Sequence, residues 1–395
     1  MKWASAIGLG DDLETAATEA LEQLTDESGM TRPDLVIAFV SVAYGAEMDR
    51  LPQILDPWLG KGLLFGCNAG GLIGGEREEE DEPGIALLAG RLRDVTLTAL
   101  HLEQATLPPL TATRETWWRL LDLGPESAAS FVLLTDPATI DAEACARGLD
   151  RVFPGATVVG GLASGASEPG TARLFANRDV HRSGGLLLAL TGNIVIDPVI
   201  AQGCRAIGEP LFVTGCDGNL VHELDGRRPR ELLATLFSSL NEADRERFGN
   251  SLCIGLALPG PRQTEGTGEF LIRNVLGLDP DSGALWIGAR LVRNAVVQFH
   301  LRDSDAASHE LSVRLGTALE GRMPPAASLL FACAGRGRGM FGVPGHDSAA
   351  LRRVADVPVA GMFCAGEIAP VQGATFLHSF SSVFGLIRPR IAGSA

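Results

Sequence analysis

The residues best suited to do chemistry fall in one stretch, 359–381, which reads VAGMFCAGEIAPVQGATFLHSFS. It holds a thiol (Cys364), a carboxylate (Glu367) and an imidazole (His378). A cysteine becomes a nucleophile when a neighbouring base keeps it as thiolate. Cys364 or Cys333 with His378 is therefore the set that would serve a hydrolase or transferase acting on a small molecule. Recognition is the other chemistry on offer. The planar guanidinium of Arg336 or Arg205 matches a carboxylate, and Glu367 matches an amine, which together are the two polar ends of an amino acid. Each residue also has a plainer use. Cysteine packs as a small apolar residue, His378 can be a satisfied strand histidine, and Glu367 can hold a loop through backbone N–H groups. No G-x-S-x-G elbow or H-E-x-x-H pair strengthens the catalytic reading.

Four apolar runs lead into glycine turns. Residues 63–65 enter Gly66-Cys67-Asn68-Ala69-Gly70, and 157–159 enter Gly160-Gly161-Leu162-Ala163-Ser164. Residues 329–331 enter Ala332-Cys333-Ala334-Gly335-Arg336-Gly337, and 359–364 enter Ala365-Gly366-Glu367. Short apolar runs bounded by glycine read as buried strands. Open α/β sheets bind ligands at the carboxyl ends of such strands. Backbone N–H groups at Gly66, Gly70, Gly71, Gly160, Gly161 and Gly165 can cradle an anion, with Asn68 and Ser164 adding side-chain donors; Gly335, Gly337, Gly366 and His378 are ligand-binding candidates beside Arg205, Arg336 and Glu367. The alternative is that these glycines only let the chain turn. Neither a dinucleotide fingerprint nor a P-loop is present, and no Cys/His spacing fits zinc, so no cofactor and no metal are expected.

The positioning elements follow from periodicity. Asp11 or Asp12 caps a helix with Leu13, Ala16, Ala17, Ala20, Leu21 and Leu24 on one face. A strand is expected over 35–42, a short helix broken by Pro52 and Pro57, and then the first glycine turn. Residues 130–134, 137–153 and 156–159 repeat that strand, helix and strand order. Gly66 and Gly160 stand 94 positions apart (160 − 66), so the first half reads as duplicated. Trp117 and Trp118 cannot share a helix face, which predicts one inward and one at a rim. The run 76–82, EREEEDE, reads as a solvated loop. Beyond 201 the chain mixes hairpins with βαβ-like pieces. The expected class is α/β, as mixed α+β, with mixed sheets covered by helices in two domains, 1–201 and 202–395.

Composition narrows the function. The formal charge is −15, from 33 basic and 48 acidic residues, which argues against nucleic acid or anionic membranes as partners. The 7 cysteines show no CxxC, as fits reduced thiols in a cytoplasm. No signal peptide and no membrane-spanning run is expected.

In combination, these motifs resemble a known family. LLFGCNAGGLIGG resembles the N-terminal FIST domain; QGCRAIGEPLFVT, FACAGRGRGMFG and GMFCAGEIAPVQGATFLHSFS resemble the C-terminal FIST domain. The resemblance runs from about Asp34 to about Val383. It implies a cytoplasmic sensory module that binds a small ligand, such as an amino acid or derivative, and passes a signal to an output domain. Here the output is expected to be a separate signalling protein.

Overall fold

The structure is a computed structural model, and it describes residues 1–26, 28–75, 77–124, 127–166, 168–258 and 270–390. Two compact units are present. The first comprises Met1–Ala201, Leu311–Leu377 and the stretch from Ser381; the second comprises Gln202–Glu310 with His378–Phe380. Residues after 310 thus return to the first unit, where the sequence had been read as continuing a second domain. Among the described residues, no helix is long and apolar enough to cross a membrane.

The first unit is built from three six-stranded sheets of one design. At the centre of each lies a parallel pair: Leu35–Ser41 with Leu63–Ala69, Ser130–Thr135 with Thr157–Leu162, and Ala327–Cys333 with Val359–Cys364. The repetition legible in the first half is therefore part of a threefold one. Gly361 stands 201 positions after Gly160 (361 − 160), and the second unit takes 109 of these (Gln202 to Glu310). The repeat persists at single residues. Gly66, Gly160 and Gly361 face Ala38, Leu133 and Leu330 in register across the parallel pairs. A Cβ at these glycines would fall 1.9, 1.8 and 1.8 Å from the carbonyl oxygens of those partners. Only glycine fits that approach.

The modules exchange the strand that follows each parallel pair, in a ring. Gly71–Gly74 leaves the first module and pairs with Val359–Cys364 of the third. Leu174–Ala176 leaves the second and pairs with Leu63–Ala69 of the first, while Glu367–Val371 leaves the third and pairs with Thr157–Leu162 of the second. Gly71–Gly74 and Glu367–Val371 start just past the ends of their own parallel strands, whereas Leu174–Ala176 starts 12 positions after Leu162 (174 − 162).

Both faces of each sheet are buried, which is why the core strands read as unbroken apolar runs. Leu35, Ile37 and Phe39 join Val132, Leu134, Leu329 and Phe331 in one shared core. The alternate residues Val36, Ala38 and Val40 face helices Leu13–Asp26 and Leu51–Leu59, as period-2 alternation requires. Helix Leu13–Asp26 starts as its sequence suggests, with Asp12 accepting the Thr15 N–H at 2.8 Å. Trp117 is buried in the second module and Trp118 packs at its edge. The acidic run departs from its reading as a solvated loop. Glu76 lies outside the described residues, but Arg77–Glu79 forms a strand paired with Gly71–Gly74, and Glu78 is buried.

The second unit is a closed six-stranded barrel. Its strands run Cys204–Asp217, Leu220–Leu224, Leu285–Ile287, Phe270–Leu278, Leu252–Ala257 and Val296–Arg302 around the wall. Pairing with both neighbours removes every edge. Helices Pro229–Ser239 and Glu242–Ser251 belong to this unit, and Leu233 of the first joins the barrel core.

Candidate functional site

The third module gathers the ionisable residues. Strand Ala327–Cys333 pairs with Val359–Cys364 on one side and Ser381–Arg388 on the other. Cys333 therefore stands opposite Cys364, and Ala332 opposite Ser382. The chain then turns tightly: Ala334 N donates to Cys364 O at 2.9 Å and Arg336 N to Cys333 O at 2.8 Å. That turn folds Arg336 back under the sheet end, where it is only 1 % exposed.

An arginine at that depth needs a counter-charge. Asp347, from the first turn of helix His346–Arg352, supplies it bidentately: Arg336 Nε to Oδ2 at 2.7 Å and Nη2 to Oδ1 at 2.9 Å. Ser382 Oγ and His346 Nδ1 also bond this carboxylate. Burial alone would raise the Asp347 pKa. The Arg336 charge and the hydrogen bonds from His346, Arg336 and Ser382 override it and hold the carboxyl well below the usual range. Phe341 lies 5.1 Å from the Arg336 guanidinium carbon and stacks on His346 at 3.5 Å. The remaining nitrogen, Arg336 Nη1, is buried with no hydrogen-bond partner among the described residues.

Glu367 is the second buried charge. Its Oε2 accepts from Ser381 N at 3.1 Å and Ser381 Oγ at 2.6 Å, and its Oε1 faces Cys364 Sγ at 3.4 Å. Burial pushes its pKa up to about 7, against those donors and the nearby Arg336 charge. Near neutral pH this carboxyl can give or take a proton. Burial, together with the Glu367 charge, raises the Cys364 thiol well above its usual pKa. A protonated thiol donating to a carboxylate is the opposite of an activated nucleophile.

The acidic run closes this end. Glu80 accepts the Arg338 N–H at 2.7 Å, and Asp81 pairs with the Arg338 side chain. Gly337, at φ +65°, leaves the space that the Glu80 carboxyl occupies. Glu78 accepts the Ser348 N–H at 2.7 Å, and burial with the Asp347 charge raises its pKa.

The glycine turns of the first two modules meet at the ring of strand ends. Asn68 donates to Ser164 O at 2.8 Å and accepts from Arg173 N at 2.7 Å. Ser164 Oγ accepts from Gly70 N at 2.8 Å and donates to Phe363 O. Leu162 N donates to Gly366 O at 2.9 Å. Gly161 stands opposite Glu367 in register, and a Cβ there would lie 3.1 Å from Cys364 Cβ. Asn68, Gly70, Ser164 and Gly366 thus bond one module to the next, and Gly66 lets parallel strands approach. The structure brings together Cys333, Gly335, Arg336, Gly337, Cys364, Gly366 and Glu367. Arg205 lies in the second unit, bonded to Asp244 at 2.6 Å and Asp303 at 3.0 Å. His378 is buried and belongs with that unit. Among the described residues, no cluster of three or more His, Cys, Asp or Glu suits a metal ion.

Asp347, Ser381, Ser382 and Glu78 were not marked as site residues by sequence. Asp347 reads as a helix start and in fact lies two residues past the Gly345 cap, with its carboxylate on Arg336. The Ser381-Ser382 pair, directly before an apolar run, was the available signal.

A FIST N domain model matches residues 34–227, and a FIST C domain model matches 230–370. An uncharacterized protein of Mycobacterium tuberculosis (strain ATCC 25618 / H37Rv) is 34 % identical over 391 residues, covering 98 % of this chain and 99 % of its own. One from Mycobacterium bovis is 34 % identical over 393 residues, covering 96 % and 98 %. A crystal structure of cyanuric acid hydrolase from A. caulinodans aligns over 99 % of both chains with a TM-score of 0.35 and 8 % identity. Nothing further follows from a likeness at that level.

Proposed function

The chain belongs to the family that carries FIST N and FIST C domains in tandem, and from that premise we propose that it is a cytoplasmic sensory protein for an amino acid or a close derivative. FIST domains are associated with small-ligand sensing. The ligand's carboxylate would take the open donor of Arg336, and its amine would face Glu367. The observation that carries this reading is the buried Arg336 Nη1 with no partner among the described residues, on a guanidinium close enough to Glu367 for their charges to interact. An unmet donor at this depth costs about 1–3 kcal/mol, and a ligand oxygen would recover that cost.

Entry requires the segment after Gly337 to lift. It carries positive-φ glycines at 337, 342 and 345, which suit a hinge, and its Phe341 lies beside the arginine. Lifting it would break the Glu80 and Asp81 contacts to Arg338, and that change is what a separate output protein would read. A Cys/His hydrolase, the competing reading, gains nothing from Cys364, whose thiol is held protonated.

Thermal-shift titration with amino acids and dicarboxylates tests the proposal. A ligand at 100 times its Kd stabilises the native state by about 2.7 kcal/mol. A shift with one of these compounds that Glu367→Gln abolishes is the expected result. No shift with any of them at millimolar concentration overturns the reading.

A further inference from the structure

A separate feature of the barrel unit is a pocket of about 710 Å³, within the range that takes small organic ligands. Phe237 and Phe248 line it from the two helices, and Leu276 and Leu278 from strand Phe270–Leu278. Three of these are unusually open for their type: Phe237 is 41 % exposed, Leu276 61 % and Leu278 39 %. Apolar side chains converging on one hollow while facing water mark a binding surface.

The charges on the wall are of one sign. Among the described residues, Arg230 and Arg302 line the pocket and no carboxylate does, in a chain whose net charge is −15. Arg302 holds its guanidinium carbon 4.9 Å from the Phe380 ring, which is also on the wall. Arg230 donates to the backbone carbonyls of Asp279 and Pro280 at 3.1 and 2.6 Å. The Asp279 carboxylate is engaged by Ser282 N and Oγ at 2.8 and 2.7 Å.

We propose that this pocket binds an apolar monocarboxylic acid, with an aromatic or branched aliphatic body between Phe237, Phe248, Leu276 and Leu278 and its carboxylate on Arg302. Body and head are both needed. The apolar wall supplies most of the affinity, and the arginines select the acid over its neutral analogues. The site is distinct from the Arg336 cluster and does not depend on it.

Calorimetric titration of the full chain at pH 7 with 4-phenylbutyrate, and separately with 4-phenylbutyramide, tests the assignment. The acid binds saturably at one site per chain, and the amide binds about tenfold more weakly. Leu276→Glu, at an exposed position, sets a carboxylate in the pocket and weakens the acid by at least about tenfold. Arg230→Gln, also exposed, is the second variant and weakens the acid more than the amide. Glu367→Gln leaves the titration unchanged, which separates this site from the one proposed above. Absence of binding, equal binding of acid and amide, or full retention in Leu276→Glu overturns the proposal.

Discussion

Replacing Glu367 by Gln should change how stability depends on pH, and the size of the change follows from the burial of this carboxyl. Its pKa stands at about 7 in the folded protein against the usual 4.5. Between those values the folded state keeps a proton on Glu367 that the unfolded chain has lost. Protonation therefore favours the fold. The contribution is fully present below about pH 4.5 and is lost as pH rises through about 7. At about 1.4 kcal/mol for each pH unit inside that interval, wild type loses about 2–3 kcal/mol from this group between pH 5 and 8. Glutamine is neutral at every pH and keeps an acceptor oxygen for Ser381. Glu78, with a raised pKa, and His181 and His300, with lowered ones, also titrate, but they cancel in the difference between the two proteins. Urea unfolding followed by tryptophan fluorescence reads the first unit, which holds Trp3, Trp58, Trp117 and Trp118, whereas Trp286 lies in the barrel. The stability of Glu367→Gln relative to wild type should rise by about 2–3 kcal/mol from pH 5 to pH 8. A difference that stays flat across that range refutes the argument that burial sets the Glu367 pKa.

Three further outcomes follow from the same geometry. Asp347→Asn leaves Arg336 buried without its counter-charge and should cost about 3–5 kcal/mol in urea unfolding. Because the Asp347 carboxyl is held well below the usual range, its contribution is lost only in acid, so this cost should be constant between pH 5 and 8. Gly160→Ala and Gly361→Ala press a Cβ against a carbonyl oxygen of the neighbouring strand and should each lower the melting temperature. Gly316→Ala, in helix Ser304–Leu319 with open space at its Cβ, should raise stability by about 0.8 kcal/mol. If all three glycine variants behave alike, the close approach in the repeat is not what demands glycine. Cys364 in the native protein should be alkylated at pH 7 more slowly than a free thiol, and faster modification, read by peptide mass spectrometry, would restore the nucleophile reading.

How far the sequence carried these conclusions depends on the range of the interactions involved. The core strands were legible because Leu35, Ile37 and Phe39 alternate with Val36, Ala38 and Val40 between two buried layers, which leaves a local apolar run. The third module was not legible as a repeat, because the 109 residues from Gln202 to Glu310 interrupt the spacing. Nor could the ring exchange of strands be read, since the partner of Gly71–Gly74 is Val359–Cys364, far along the chain. The closed barrel was seen only as hairpins, because closure depends on the long-range pairing of Cys204–Asp217 with Val296–Arg302. In the site, Arg336 and Glu367 stood out as charges in apolar context. Their partners did not. Asp347 resembles any acid at a helix start, and the acidic run resembles a solvated loop until Glu78 and Glu80 are seen to bond Ser348 and Arg338.

Calorimetric titration of the intact protein with free amino acids at pH 7, repeated on Glu367→Gln, tests the sensory reading most directly. One amino acid or close derivative should bind saturably to wild type and at least about tenfold more weakly to the variant, where the carboxylate facing the amine is gone. Heats indistinguishable from dilution for every compound, or equal affinity in both proteins, would contradict a receptor site built on Arg336 and Glu367.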